Sequence, residues 1–143
     1  MKNLCFLVIV LLSLGLIIHG CGDSENSAKT DQYLMQGTWM GPLAGMDMEF
    51  KMTISGNDFN MESTDSGVWY KGTFVLNEKV TPKQADFKIN ECNIEEYVGT
   101  IAKGIYKIEN NTLTIAGNEP GSDIRPADFV VDDMTQVFTL TKQ

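Results

Sequence analysis

The sequence predicts an all-β fold, a single antiparallel up-and-down meander of about eight short strands that closes into a barrel. Three observations carry this expectation. From Gly37 onward apolar residues recur with a period of two, the spacing that sends alternate side chains to opposite faces of a strand. Clusters of Gly, Asn, Asp, Ser and Pro interrupt these runs at short intervals, as turns between strands require. The chain has 143 residues, enough for one ordinary domain, and closure of eight strands removes the edges that would otherwise pair with other chains.

The strands follow in order. Residues 38–40 open the meander. Met46, Met48, Phe50, Met52 and Ile54 then alternate with Asp47, Glu49, Lys51 and Thr53, giving one buried and one wet face. Ser55, Gly56, Asn57 and Asp58 make a turn, and Phe59 and Met61 face inward on the third strand. After Asp65, Ser66 and Gly67, the fourth strand sets Val68, Tyr70, Gly72, Phe74 and Leu76 against Trp69, Lys71, Thr73 and Val75. Gly72 in mid-strand predicts a bend or bulge. Residues 77–82 turn the chain into a fifth strand with Ala85, Phe87 and Ile89 inward, and a polar excursion over 90–96 precedes a sixth over 97–108. Glu109, Asn110 and Asn111 form a hairpin into a seventh strand over 112–116. A long irregular loop over 117–133 holds Pro120 and Pro126, and residues 136–141 close the chain.

The N-terminal segment has a different character. Lys2 precedes a run over 4–18 broken only by Ser13 and Gly15. At about 15 residues it falls short of the ~20 that a spanning helix needs, so residues 1–20 read as a cleaved secretory signal peptide. Its end, Leu16-Ile17-Ile18-His19-Gly20-Cys21, resembles the lipobox of bacterial lipoproteins, from which His19 departs. That resemblance implies that Cys21 becomes the mature N-terminus, bearing a diacylglyceryl thioether and an amide-linked acyl chain such as palmitate. Several chains anchor far more firmly than one. The lipobox resemblance implies a place in the cell envelope outside the cytoplasm, and Gly22, standing where an Asp would resemble an inner-membrane retention signal, favours the outer membrane. Residues 21–30, polar and without period, form a lipid-anchored flexible tether, of which 22–30 spans roughly 16 Å as a coil. Residues 31–143 form the barrel domain, with residues 31–35 as a short helical lead-in.

Composition closes several function classes. A formal net charge of -8 and no basic cluster argue against nucleic acid as a partner. His19 is the single histidine and leaves with the signal, so the mature chain has no triad, no Cys-His pair and no His-based zinc site. Cys5 leaves with the signal and Cys21 is consumed by lipid. Cys92 then remains as a lone structural thiol beside Glu91, Glu95 and Glu96. No catalytic motif is recognisable, no cofactor is expected, and no metal site has the required spacing; residues 118–123 offer oxygens without the order of an EF-hand.

Two resemblances bear on the domain. Gly37-Thr38-Trp39 resembles the G-x-W signature of lipocalins and calycins, which implies that Trp39 packs across the barrel floor beside a basic residue near the C-terminus, here Lys142. A longer likeness runs from about Met35 to Phe129. Leu34-Met35-Gln36-Gly37-Thr38-Trp39, Lys71-Gly72-Thr73-Phe74, Gly104-Ile105-Tyr106-Lys107-Ile108, Asn111-Thr112-Leu113-Thr114-Ile115 and Arg125-Pro126-Ala127-Asp128-Phe129 are similar, in that order, to a family of small bacterial domains numerous in planctomycetes. The family is described as lipocalin-like and has no assigned activity, so it implies the barrel and transfers no catalytic residue. The acidic Asp132 and Asp133 depart from its pattern.

The candidate ligand pocket is Met46, Met48, Phe50, Met52, Phe59, Met61, Tyr70, Phe74 and Tyr106, because methionine and aromatic side chains on inward faces can line an adaptable apolar cavity. The same residues can instead fill a solid barrel, since eight strands leave room for side chains or for one small ligand. Asp47 and Glu49 read as solvated carboxylates with Lys51 as counter-charge. Arg125, the only arginine, ties down the acidic loop or meets an anionic head group at the barrel mouth. Two readings of function stay open. One is a membrane-anchored lipoprotein that binds a small apolar or amphipathic ligand, and the other is an interaction or structural lipoprotein with a solid barrel, acting through loops 90–96 and 117–133.

Overall fold

The structure, a computed structural model, describes residues 28–143; the expected signal peptide, residues 1–20, and Cys21 lie outside the described residues. It consists of one helical turn, α1 (Asp31–Leu34), and eight strands: β1 (Gly37–Pro42), β2 (Glu49–Ser55), β3 (Asp58–Ser63), β4 (Trp69–Asn77), β5 (Lys83–Cys92), β6 (Ile101–Glu109), β7 (Thr112–Asn118) and β8 (Thr135–Lys142), with a 3₁₀ turn at Glu95–Tyr97. The strands pair antiparallel in sequence order and close, β8 on β1, into an up-and-down barrel. The alternation expected from the sequence is realised, with Phe50, Met52 and Ile54 on β2, Phe59 and Met61 on β3, Phe74 on β4 and Ala85, Phe87 and Ile89 on β5 all buried. Gly72 sits where the β4–β5 register shifts: Lys71 faces Glu91 and Gly72 faces Ile89, leaving Asn90 as the extra residue of a bulge. A Cβ on Gly72 would lie 1.8 Å from the Lys88 carbonyl oxygen, so the curl is built around the missing side chain.

Two strand starts differ from expectation. β2 begins at Glu49, because Gly45 takes a φ of 78° and the Leu43 amide donates to the Met48 carbonyl, closing a turn with Met46 on it. Met46 is therefore 54% exposed and off the inward face. β6 begins at Ile101, because residues 95–97 wind into the 3₁₀ turn and Gly99, with a φ of 85°, bends the chain back so that its amide donates to Ile89.

The β1–β8 seam is short. Trp39 faces Lys142 and Met40 faces Thr141, and an isolated bridge joins Leu43 to Phe138. At Gly41 the strands approach so closely that a Cβ would lie 2.1 Å from the Thr139 carbonyl oxygen. The long loop after β7 does more than connect strands. It runs outside the barrel and lays Phe129 on Ile105, Ala116 and Val137, which form a second small apolar core on the outer face. Arg125 fastens this strap, donating to the Gly104 carbonyl at 2.6 Å and to Asp86 at 2.6 Å. Arg125 is thus a loop fastener, and the alternative of an anionic head group at the mouth is set aside because the guanidinium is already engaged on the β5–β6 surface.

Candidate functional site

The two ends of the barrel are built differently. The closed end is plugged by α1, whose N-cap Thr30 accepts from the Tyr33 amide. A single turn cannot hold itself, and the barrel holds it. Met35 is fully buried, and its carbonyl accepts from Trp39 Nε1 at 2.7 Å. Lys142 Nζ donates to the Leu34 carbonyl at 3.0 Å and stands 5.2 Å from the centre of the Trp39 ring, within cation–π range. The Asp31 carboxylate, buried at this end, accepts from the Tyr106 hydroxyl at 2.8 Å and from Lys83 Nζ at 2.6 Å. Burial, followed by the hydrogen bond to Asp31, pushes the Tyr106 hydroxyl well above its ordinary value. Gln32 and Gln36 tie α1 to the β2–β3 turn at Gly56. Among the described residues no buried side-chain nitrogen or oxygen lacks a partner.

The opposite end is open. An apolar pocket of about 90 Å³ enters the barrel between Met52, Phe59, Met61, Phe87, Ile89 and Phe138, with Ala102, Gly104, Ile115 and Gly117 completing the wall. Three of these wall positions carry little or no side chain, and they differ: a Cβ on Gly104 would lie 2.8 Å from the Ala116 carbonyl oxygen. Gly117 is the open one: a Cβ there would meet no atom within 4 Å. Tyr70, Pro120 and Gln136 line both this pocket and a second space beside it, a vestibule of about 640 Å³. The vestibule is walled by Leu43, Met46, Val131 and Met134 together with Tyr97, Glu119, Asp132 and Asp133.

Its polar groups are set by local bonds. The Tyr97 hydroxyl donates to Glu119, and that bond, more than burial, pushes the tyrosine up to about 12. Tyr70 is raised chiefly by burial and then by the nearby Cys92 and Glu119. Asp132 accepts from the amides of Met134 and Thr135 at 2.8 and 2.7 Å, and these donors hold its carboxyl below the ordinary range.

Of the residues expected to line a pocket, Met52, Phe59, Met61 and Tyr70 do so. Met46 lines the vestibule instead. Met48 is half-buried, with the Ser66 hydroxyl donating to its sulfur at 3.6 Å. Phe50, packed edge-on to Phe138 with centroids 5.2 Å apart, and Phe74, tilted against Phe87, are solid core. Tyr106 belongs to the closed end. Phe87, Ile89, Ala102, Ile115, Gly117 and Phe138 also line the pocket; the period-two pattern puts them inward, but none is a methionine, the residue type that marks an adaptable pocket in the sequence.

Cys92 Sγ donates to the Ile94 carbonyl at 2.9 Å and packs against the core. Asp47 and Glu49 are exposed, and Lys51 pairs across the strands with Glu62 at 3.4 Å. The 118–123 oxygens are partly committed: Asn118 Oδ1 accepts from Thr135 and Glu119 from Tyr97. Among the described residues no group of three acidic, cysteine or histidine side chains is placed to hold a metal ion, and no helix is long and apolar enough to cross a membrane. No protein-family model, curated protein or solved structure matches the chain.

Proposed function

We propose that the protein is an exported, membrane-anchored lipoprotein whose barrel binds a small apolar or amphipathic molecule through its open end. The observation that carries this reading is the adjacency of the apolar pocket and the vestibule, which share Tyr70, Pro120 and Gln136 as wall. The vestibule falls within the ~300–1,000 Å³ of small-molecule sites, and the pocket behind it offers a dry end for an apolar group. The chain enters the barrel at α1, in the plugged end. On this reading an acylated Cys21 holds that end toward the membrane and leaves the mouth free.

A second reading, an interaction lipoprotein acting through its loops, is favoured by one observation. The inner pocket, about 90 Å³, is smaller than the ~150 Å³ cavity that admits benzene, while Ile124 and Val130 stand 58% and 60% exposed on the strap.

Native mass spectrometry of the full-length protein released from membranes, followed by solvent extraction, separates the two. A stoichiometric apolar adduct beyond the covalent acyl mass supports the ligand reading. A clean mass, with no uptake of an environment-sensitive apolar dye, transfers function to the loops. Labelled palmitate tests the anchor: Cys21→Ser abolishes its incorporation, and persistence of the label contradicts acylation at that residue.

A further inference from the structure

Resting on the reading of the open end as an apolar ligand site, we propose that its ligand carries a cationic head, an alkylammonium-type amphiphile, and that the mouth rejects carboxylates of the same chain length.

The vestibule wall contains Glu119, Asp132 and Asp133, and among its described lining residues there is no lysine or arginine. The four loops at this end repeat the imbalance. Residues 43–48, 64–68 and 93–100 carry Asp47, Asp65, Glu95 and Glu96 without a basic residue. The long loop adds Asp123 and Asp128, and its one cation, Arg125, is drawn away to Asp86 and the Gly104 carbonyl on the outer wall. Lys103, the nearest lysine on β6, is likewise engaged outside, with Asp123 at 3.2 Å. The opposite end is mixed, with Lys83 on Asp31 and Lys142 on the Leu34 carbonyl. Net negative charge is therefore concentrated in the loops around the cavity, where it acts on whatever enters.

The rim carboxylates retain acceptor capacity. Asp132 uses Oδ1 for both backbone donors, and Glu119 Oε1 accepts from the Tyr97 hydroxyl; an ionised carboxylate has two oxygens and about four acceptor sites. Beside them Met46, Val131 and Met134 stand 54%, 47% and 53% exposed, an apolar floor between charges. An ammonium with a short alkyl tail matches both halves of this surface. A fatty carboxylate matches the tail half and meets like charge at the head, where repulsion disfavours it.

The test uses the full-length protein in zwitterionic nanodiscs, with empty nanodiscs as reference, and equilibrium dialysis of octylamine, octanol and octanoate. The expected result is saturable one-to-one binding of octylamine at least about tenfold tighter than octanoate, with octanol between, as a few partly screened charges at contact distance provide. The preference narrows as ionic strength rises above about 0.1 M, where the Debye length falls below about 10 Å. Glu119→Gln with Asp133→Asn, which leaves the Asp132 turn intact, brings octylamine and octanoate within about threefold while octanol is unchanged.

Equal binding of all three by the unaltered protein overturns the cationic assignment and leaves the pocket reading standing. Binding of none overturns both. Saturable binding of a short lysine- and leucine-bearing peptide, with octylamine unbound, assigns the mouth to a polypeptide and overturns the small-ligand assignment. If the double variant loses its thermal transition, Glu119→Gln alone, which keeps an acceptor for Tyr97, must still reduce the octylamine preference; an unreduced preference overturns the proposal.

Discussion

The closed end of the barrel and its mouth are made by the same eight strands and differ in how completely their groups are matched. At the closed end each prominent polar group has a named partner: Trp39 on Met35, Lys142 on Leu34, Asp31 on Tyr106 and Lys83. The side chains between them, Met35, Trp39 and Tyr106, are at most 1% exposed. At the mouth, carboxylates stand without cations beside half-exposed Met46, Val131 and Met134. Matching of that kind stabilises a fold and offers a partner nothing further. Unmatched apolar and charged surface around a cavity costs stability, and in folded proteins it marks binding sites.

The contrast is sharpest in a pair of truncations. Trp39→Ala is expected to destabilise the barrel by about 3–5 kcal/mol, from lost burial and the cavity left behind. Met134→Ala, at the mouth, is expected to stay within about 0.5 kcal/mol. Urea unfolding followed by circular dichroism reads both, and comparable losses would erase the distinction between the ends. Next in size is Gly41→Ala at the β1–β8 seam, where the new methyl would meet the Thr139 carbonyl. About 1–3 kcal/mol is expected from the forced shift, with hydrogen exchange rising first in β8; an unchanged urea midpoint would show that the seam relaxes freely.

The smallest effect is an acid one. The Asp132 carboxyl is lowered by the Met134 and Thr135 amides. A group depressed in the folded state contributes ordering that is fully present above its unfolded value, about 3.9, and is lost as pH falls through the lower folded value. Amide exchange at Met134 and Thr135 should therefore accelerate in that acid window beyond its intrinsic pH dependence. Asp132→Asn should remove the acceleration, and its persistence in the variant would assign the acid response to another group.

The barrel was legible in the sequence because its strands keep one wet face, so period two survives from Phe50 to Ile89. The pattern misled at Met46, where alternation continues past the strand into a turn that only the Gly45 backbone reveals. The outer strap was hidden for a related reason. Leu113, Thr114, Ile115 and Ala116 are buried in succession, so β7 is covered on both faces, and the run shows that a cover exists without showing that Phe129 is part of it. The pocket was hardest to read, since its wall includes Gly117, beyond whose missing Cβ there is open space, and no pattern of large residues reports a gap. Charge was legible only as a total of -8; its concentration at one end depends on which loops the meander brings together.

On the proposed reading, the space behind Gly117 is a ligand site at the barrel mouth. Gly117→Val tests it most directly, because the position is strand backbone with open space beyond its missing Cβ. The variant is expected to keep or raise stability, by up to about 1 kcal/mol from the better strand residue, while uptake of an apolar dye by the full-length protein is lost. Undiminished uptake in a folded Gly117→Val protein would contradict the account.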